Sequence, residues 1–181
     1  MLILAFWACS TGGLVVDDSS KTGDDSGGDS VPSNVETPKL AINEILSSNT
    51  ATNADEAGEF DDWIELYNYG DTLINFDGLY LTDNTTQKTQ WALPAGQGLA
   101  PGEFQLIWCD NTPDQGTFHT SFQLNKGGDD IYIFMAADGQ DAVRVDGVKW
   151  TAEEDDLASA RVPNGTGEWV HQAPTPGESN K

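Results

Sequence analysis

The chain has 181 residues, which allow one ordinary domain with a tail or two small domains, and 30 acidic against 8 basic residues give a formal net charge of -22. A surface this acidic repels a nucleic-acid backbone, which excludes nucleic acid as a partner, and it attracts cations. The two cysteines, Cys9 and Cys109, belong to no CxxC pair, which argues against a zinc site and predicts that Cys109 packs as a small apolar side chain.

The first element in chain order is a short apolar segment that ends at a cysteine. Residues 1–8 (MLILAFWA) are too few to span a bilayer, and small and polar residues follow Cys9. This arrangement resembles a bacterial lipoprotein signal, in which the apolar segment is removed and the cysteine is lipidated. The resemblance implies a protein secreted across the inner membrane and held at the cell envelope or surface as a membrane-anchored lipoprotein.

The next element is a polar segment, residues 9–38, rich in Gly, Ser, Asp and Thr and poor in large apolar side chains. Such a segment cannot bury enough apolar surface to offset the conformational entropy that folding would remove. The sequence therefore predicts a disordered acidic tether that joins the signal segment to a folded domain at 39–181.

The predicted domain consists of short runs of β-branched and aromatic residues between turns rich in Gly and Asn. No run has the apolar spacing of a helix, so the predicted fold class is all-β. About seven short strands in one domain indicate a β-sandwich or an open barrel. The predicted strands are residues 40–46, 63–67, 79–81, 88–91, 104–109, 131–135 and 143–150.

Several residues occur along the domain in an order and spacing that together are more specific for a protein family than any one of them alone. They are Asn43, Glu44, Asn49, Asp62, Trp63, Glu65, Asn68, Asp83, Arg161, Gly165, Pro176, Gly177 and Asn180. Their order and spacing resemble the lamin tail domain family, particularly its secreted bacterial branch. The resemblance implies an immunoglobulin-like β-sandwich that serves as an interaction module, and it supplies no catalytic residues.

An acidic loop after the first predicted strand is the cluster best able to carry chemistry. Carboxylate oxygens in a loop suit calcium, although the loop lacks the ligand pattern of an EF-hand because Ala57 and Ile64 fall at ligand positions. The more common role of such a loop is structural, with short polar side chains capping strand ends. The candidate calcium ligands are Asp55, Glu59, Asp61 and Asp62, with Glu44 and Glu65 on the adjoining strands.

Large side chains and the scarce arginines give two further expectations. Core packing is the default for the tryptophans of the domain, and Trp63 in particular is predicted to stabilise the fold rather than to contact a ligand. Arg161, one of two arginines, is expected to pair with Asp83 or Glu65.

Catalytic motifs are missing from the sequence, so the chain is predicted not to be an enzyme. Its two histidines, His119 and His171, accompany no nucleophile, metalloprotease or phosphate-binding signature. The leading hypothesis is a monomeric adhesion or scaffold module at the cell surface, which binds an unidentified protein or glycan and meets the membrane only through its lipid anchor. The alternatives are a calcium-dependent carbohydrate-binding module, with Tyr67 or Tyr69 beside an exposed tryptophan as a sugar-stacking platform, and then a secreted hydrolase.

Overall fold

The computed structural model describes residues 36–137, 139–151 and 154–181, so the predicted signal segment, Cys9 and most of the tether lie outside the described residues. Within those ranges the chain forms eleven β-strands and no helix, and therefore no helix that could cross a membrane. The strands are β1 (Leu40–Leu46), β2 (Trp63–Asn68), β3 (Ile74–Asn75), β4 (Leu79–Thr82), β5 (Trp91–Ala92), β6 (Gly98–Leu99), β7 (Phe104–Trp108), β8 (Gly128–Met135), β9 (Val143–Thr151), β10 (Ala158–Val162) and β11 (Glu168–Gln172).

Two antiparallel sheets enclose the main core. One has five strands in the order β11-β10-β1-β2-β7, the other has four in the order β5-β4-β8-β9, and β3 pairs with β6 separately. Fully buried side chains from both large sheets form one apolar cluster, with Ile64 and Ile107 from the first and Leu81 and Ile133 from the second. The predicted all-β, immunoglobulin-like sandwich is confirmed.

A β-bulge in β1 determines which side chains reach the outer face of the five-stranded sheet. Ile42 pairs with Leu66 but Glu44 pairs with Glu65, so the register shifts by one residue at Asn43. Because a bulge places two consecutive side chains on one face, Asn43 and Glu44 both point away from the main core. Glu44 and Glu65 therefore meet as a cross-strand pair.

A second, smaller apolar cluster lies on the same outer face, near the end of the sheet where β1 leads into the loop to β2. It contains Leu46, Trp63, Trp108 and Ala158, with Leu106 packed against it. Trp63 is completely buried, and its Nε1 donates a hydrogen bond of 2.8 Å to Asn53 Oδ1 in the loop. The loop between β1 and β2 therefore closes over this cluster.

Most of the predicted strands correspond to observed strands, but the strand predicted for residues 88–91 is wrong over most of its length. Only Trp91 of that range is in β5, because Gln90 N donates to Gln87 O and the preceding residues form turns. Strands β3, β6, β10 and β11 were not predicted. The first two have two residues each, and β10 and β11 contain partly exposed or small side chains.

Cys109 is buried in the main core, as its sequence context predicts. Burial raises the pKa of its thiol far above the usual range, so the thiol stays protonated. Of the tryptophans in the domain, Trp63, Trp91, Trp108 and Trp150 are buried, and Trp169 is half-buried against the main core.

Candidate functional site

Glu44 and Glu65 are covered by the segment 174–180, which we call the C-terminal strap. Glu44 accepts hydrogen bonds from the backbone N and the hydroxyl of Thr175, at 2.9 and 3.1 Å. Glu65 accepts from the backbone N of Gly177 at 2.6 Å and from Asn43 Nδ2 at 3.1 Å. Both glutamates have no exposed surface, so neither carboxylate can meet a solute while the strap is in place.

The strap is also bonded to strands β1 and β10 through Asn180. Its Nδ2 donates to Asn43 O at 3.1 Å and to Arg161 O at 2.9 Å. Asn43 Oδ1 in turn accepts from Gly165 N at 2.8 Å. Gly165 has a φ of 75°, and a Cβ there would lie 2.8 Å from Cβ of Tyr69, so only glycine fits this turn.

Arg161 is bonded within the same region, but the predicted partners are wrong. Its Nη2 lies 3.3 Å from Asp146 Oδ1, its Nε donates to Ile42 O at 3.0 Å, and its guanidinium lies 4.7 Å from the ring centre of Trp169. Glu65 is not its partner because both oxygens of Glu65 already accept other hydrogen bonds.

Burial changes the acidity of the covered pair. Desolvation raises the pKa of Glu65 to about 7, against the opposing effect of the Gly177 and Asn43 hydrogen bonds, and the nearby Glu44 charge adds to the rise. Desolvation also raises the pKa of Glu44, although its bonds to Thr175 oppose this. The strap network therefore holds a carboxyl that titrates near neutral pH.

Of the remaining motif residues, Asn68 holds a local turn, Pro176 lies in the strap, and Asp83 lies away from the network. Asn68 Nδ2 donates to Thr72 O at 2.9 Å and to Leu99 O at 2.8 Å, which ties β2 to the loop after it and to β6. Pro176 lies in the strap between Thr175 and Gly177, and Asp83 follows β4 in the opposite sheet.

The candidate calcium ligands divide into two groups in space. Carboxylate oxygens of Asp55, Glu59 and Asp61 lie within 4.8 Å of one another, so these three side chains form one cluster. Glu44 and Glu65 are instead bonded to the strap and to Asn43.

The sixth candidate, Asp62, helps to shape the loop. Its Oδ1 accepts from Asn49 N at 2.9 Å, and Asn49 Nδ2 donates to the carbonyls of Asn53 and Asp61 at 2.7 and 2.8 Å. Asn49 and Asp62 thereby fold the loop back over the start of β2.

Asp55 and Asp61 differ in how their oxygens are used. Asp55 Oδ1 accepts from the backbone N of Ala57 and Glu59 at 2.9 and 2.7 Å, and Gln115 Nε2 bridges Asp55 Oδ2 and Glu59 Oε2 at 2.5 and 2.9 Å. Asp61 Oδ2 is enclosed without a hydrogen-bond partner among the described residues. Burial and the negative charges of its neighbours raise the pKa of Asp61.

The buried His119, which was not among the candidate ligands predicted from the sequence, lies against this cluster. His119 is 1% exposed, and its Nδ1 lies 2.5 Å from Asp110 Oδ2. Its Nε2 lies 3.3 Å from Glu56 Oε1, and this nitrogen joins Asp55 and Glu56 in a second group of close ligand atoms. Burial lowers the pKa of His119, but the contacts with Asp110 and Glu56 outweigh it and raise that pKa overall.

Backbone pairing explains how His119 reaches the loop from a distant part of the sequence. Trp108 N donates to Phe118 O at 2.8 Å and Thr120 N donates to Trp108 O at 2.9 Å, so the segment around His119 runs beside the end of β7. Trp108 pairs with Trp63 at the start of β2, which directly follows the acidic loop. No local motif around His119 could have indicated this contact.

The aromatic side chains considered for sugar stacking lie away from the acidic cluster. Tyr67 stacks on Phe104 with ring centres 4.6 Å apart, near the end of β2 opposite to Trp63 and the loop. A separate cleft of about 220 Å³ is lined by Trp150, Trp169 and His171 among others. The cluster and the Tyr67 surface therefore do not form one site.

Comparison with known proteins adds one match. A family model described as Lamin Tail Domain matches residues 34–152. No curated protein and no solved structure matches the chain. The matched range contains β1 to β9, whereas β10, β11 and the C-terminal strap lie beyond it and complete the five-stranded sheet and its cover.

Proposed function

The chain belongs to the lamin tail domain family, and on that premise we propose that it is a non-catalytic adhesion or scaffold module at the cell surface. The immunoglobulin-like domain of this family generally serves as an interaction module. The module presents an acidic surface to its partner, which favours a protein or glycan over a polyanion.

The observation that best supports a non-catalytic role is the state of the paired glutamates. Two carboxylates on neighbouring strands are an arrangement that acid–base chemistry could use, provided that a substrate can reach them. Here Glu44 and Glu65 lie beneath the strap, and their oxygens accept hydrogen bonds from Thr175, Gly177 and Asn43. Their arrangement serves to fix the strap to the sheet.

The proposal includes attachment to a membrane through lipid on Cys9. A flexible tether of about 30 residues has a root-mean-square reach of roughly 30 Å, which would let the module meet a partner beyond the membrane surface. Metabolic labelling with a fatty-acid analogue should mark the protein and should not mark a Cys9→Ser variant. Equal labelling and membrane retention of the variant would contradict the anchor.

Binding to an array of glycans and surface proteins, with and without calcium, tests the interaction role. We expect at least one ligand to be retained in both conditions, because the adhesion role does not require the metal. Binding of glycans only, and only with calcium, would favour the carbohydrate-binding alternative. Turnover of an arrayed glycan or peptide would contradict the non-catalytic role.

Carbohydrate binding is the second candidate because the cleft at Trp150 and Trp169 combines aromatic edges with polar groups. The half-buried ring of Trp169 could stack on a sugar in this cleft, whereas Trp150 Nε1 is enclosed and out of reach. Quenching or a shift of tryptophan fluorescence on adding an arrayed glycan would support this candidate.

A further inference from the structure

We propose that the acidic loop and His119 together form a binding site for a divalent transition-metal ion, of which Zn²⁺ is the test case. The proposed ligands are His119 Nε2, which lies 3.3 Å from Glu56 Oε1, and carboxylate oxygens of Asp55 and Glu56, since ligand atoms of these three residues lie within 4.8 Å of one another. Asp61 and Glu59 share Asp55 with a second such group and supply further oxygens. The site is additional to the proposed interaction role and does not depend on it.

The first argument is the orientation of the imidazole. A histidine that ligates a metal through one nitrogen commonly bonds a carboxylate through the other, which fixes the ring and makes the ligating nitrogen more basic. His119 has this arrangement, with Nδ1 against Asp110 Oδ2 and Nε2 directed at the acidic loop. Asp110 is itself held in place, because it accepts a hydrogen bond of 3.0 Å from Thr112 N.

The second argument concerns two enclosed atoms at the centre, since the oxygens of Asp55 already accept hydrogen bonds from the loop and from Gln115. Nε2 of His119 is enclosed, and within the described residues it makes no hydrogen bond, although Glu56 Oε1 lies 3.3 Å away. Oδ2 of Asp61 is likewise enclosed and unpartnered among the described residues. Buried polar atoms are nearly always bonded, so an imidazole nitrogen that faces only carboxylate oxygen and an Asp61 oxygen with no partner are both positions that a bound cation would satisfy.

The third argument is the close approach of Glu56 and His119 to the backbone at Gly116. A Cβ at this position would lie 2.2 Å from Glu56 Oε1 and 2.6 Å from His119 Cδ2. The backbone of Gly116 is not in the left-handed region, so its conformation does not require glycine. Glycine at this position therefore lets Glu56 and the imidazole of His119 lie side by side against the backbone.

The ligand types favour a transition metal over calcium. Calcium takes six to eight oxygen ligands, whereas a site with an imidazole nitrogen and two or three carboxylates suits Zn²⁺ and its neighbours. The sequence lacks the cysteine pairs that are typical of a structural zinc site, but the site proposed here contains no cysteine. It joins residues about 60 positions apart in sequence, as the hydrogen bond from Gln115 to Asp55 shows.

Calorimetric titration of the full chain carrying Cys9→Ser, which removes the thiol outside the described domain, provides the test. We expect one equivalent of Zn²⁺ to bind and Ca²⁺ to bind at least tenfold more weakly. Nitrogen NMR gives a direct readout, because the chain has two histidines and Zn²⁺ should shift Nε2 of His119 but leave His171 unchanged. An unshifted His119 at saturating Zn²⁺, or tighter binding of Ca²⁺, would overturn the proposal.

A matched pair of variants distinguishes Zn²⁺ binding at the proposed site from nonspecific attraction of Zn²⁺ to the acidic surface. Glu56→Gln changes an exposed side chain and should weaken Zn²⁺ binding at least tenfold, because an amide oxygen is a poorer ligand than a carboxylate. Glu168→Gln removes the same charge from an exposed position on β11 and should leave the affinity unchanged. Equal affinities in both variants would show that Zn²⁺ is held elsewhere, and the assigned ligands would be wrong.

Discussion

The C-terminal strap and the acidic loop both place carboxylates around the β1–β2 region, but they differ in whether every enclosed oxygen accepts a hydrogen bond from the chain. In the strap region, Glu44 and Glu65 accept hydrogen bonds from the chain itself at both oxygens. In the loop region the oxygens of Asp55 are bonded as well, but Oδ2 of Asp61 is enclosed with no hydrogen bond among the described residues, and Nε2 of His119 faces the carboxylate of Glu56 at 3.3 Å. Buried polar groups that are bonded internally contribute to the fold, whereas those left unbonded retain the capacity to hold a ligand.

The apolar cluster between these two regions should give the largest effect. Trp63→Ala removes a fully buried aromatic side chain and its hydrogen bond to Asn53, so we expect a loss of roughly 3–5 kcal/mol in the free energy of unfolding. Urea denaturation measures the loss. Phe60→Ala, in the same loop but 48% exposed, should change stability by only about 0.5 kcal/mol. A Trp63→Ala protein with unchanged stability would refute the structural role of Trp63 in this apolar cluster.

The strap region should also make stability depend on pH. Glu65 has a folded pKa of about 7 against an ordinary value of 4.5, so the folded state holds its proton more tightly than the unfolded state. The free energy of unfolding should therefore fall by roughly 3 kcal/mol as pH rises from 4.5 to 7, then level off. Denaturation at a series of pH values measures this dependence.

Glu65→Gln is the control for that pH dependence. The amide cannot titrate, so the slope between pH 4.5 and 7 should decrease even though the variant loses an acceptor for Gly177 or Asn43. Burial also raises the pKa of Glu44 above its ordinary value of 4.5, so some slope in the same direction will remain. An identical slope in wild type and variant would show that Glu65 is ionised normally.

Removing one anchor of the strap should have an intermediate effect. Asn180→Ala leaves the carbonyls of Asn43 and Arg161 without their donor, which should cost about 1–3 kcal/mol. Hydrogen exchange should then become faster at the Gly177 amide, which donates a hydrogen bond to Glu65. Glu178→Ala, exposed in the same strap, serves as the matched control and should leave both quantities unchanged.

The acidic loop should give the smallest effect on stability in the absence of metal. Glu56 has a 59% exposed side chain, so Glu56→Gln should change the free energy of unfolding by no more than about 0.5 kcal/mol without metal. Thermal denaturation with chelator and with Zn²⁺ measures the difference between the two conditions. A large loss of stability in chelator would place Glu56 among the structural residues and would remove the contrast between the two regions.

The sequence predicted the fold best where side-chain patterns were strong. Strand β1 was predicted with its observed bounds because it is a short run dominated by Leu and Ile. The predicted β2 ended one residue before the observed strand. Strand β10 has the sequence ASARV, whose small side chains give little periodic signal, although it is buried at Ala158 and Ala160. Its place in the sheet depends on pairing with β1, more than a hundred residues earlier.

The candidate sites were predictable only in part, for a related reason. The residues of the strap network were identified through their resemblance to a family motif, but the burial of Glu44 and Glu65 depends on a segment about 110 to 130 residues away. His119 carried no signal because its Nε2 meets the loop only through the pairing of its own segment with β7. The predicted partners of Arg161 were wrong because its contact with Asp146 depends on how β9 packs against β1, which no local pattern indicates.

The central position of β1 has a consequence for mechanical load. Tension applied from the N-terminal side enters the described domain at β1, which pairs with β2 on one side and β10 on the other. The strap adds a third attachment, since it bonds Asn43 and Glu44 across the outer face. Pulling β1 out along its length would have to break both ladders and the strap together, rather than opening one edge of the sheet bond by bond. If the protein is anchored through Cys9 as proposed, tension from the anchor would therefore act on the strand with the most attachments in its sheet.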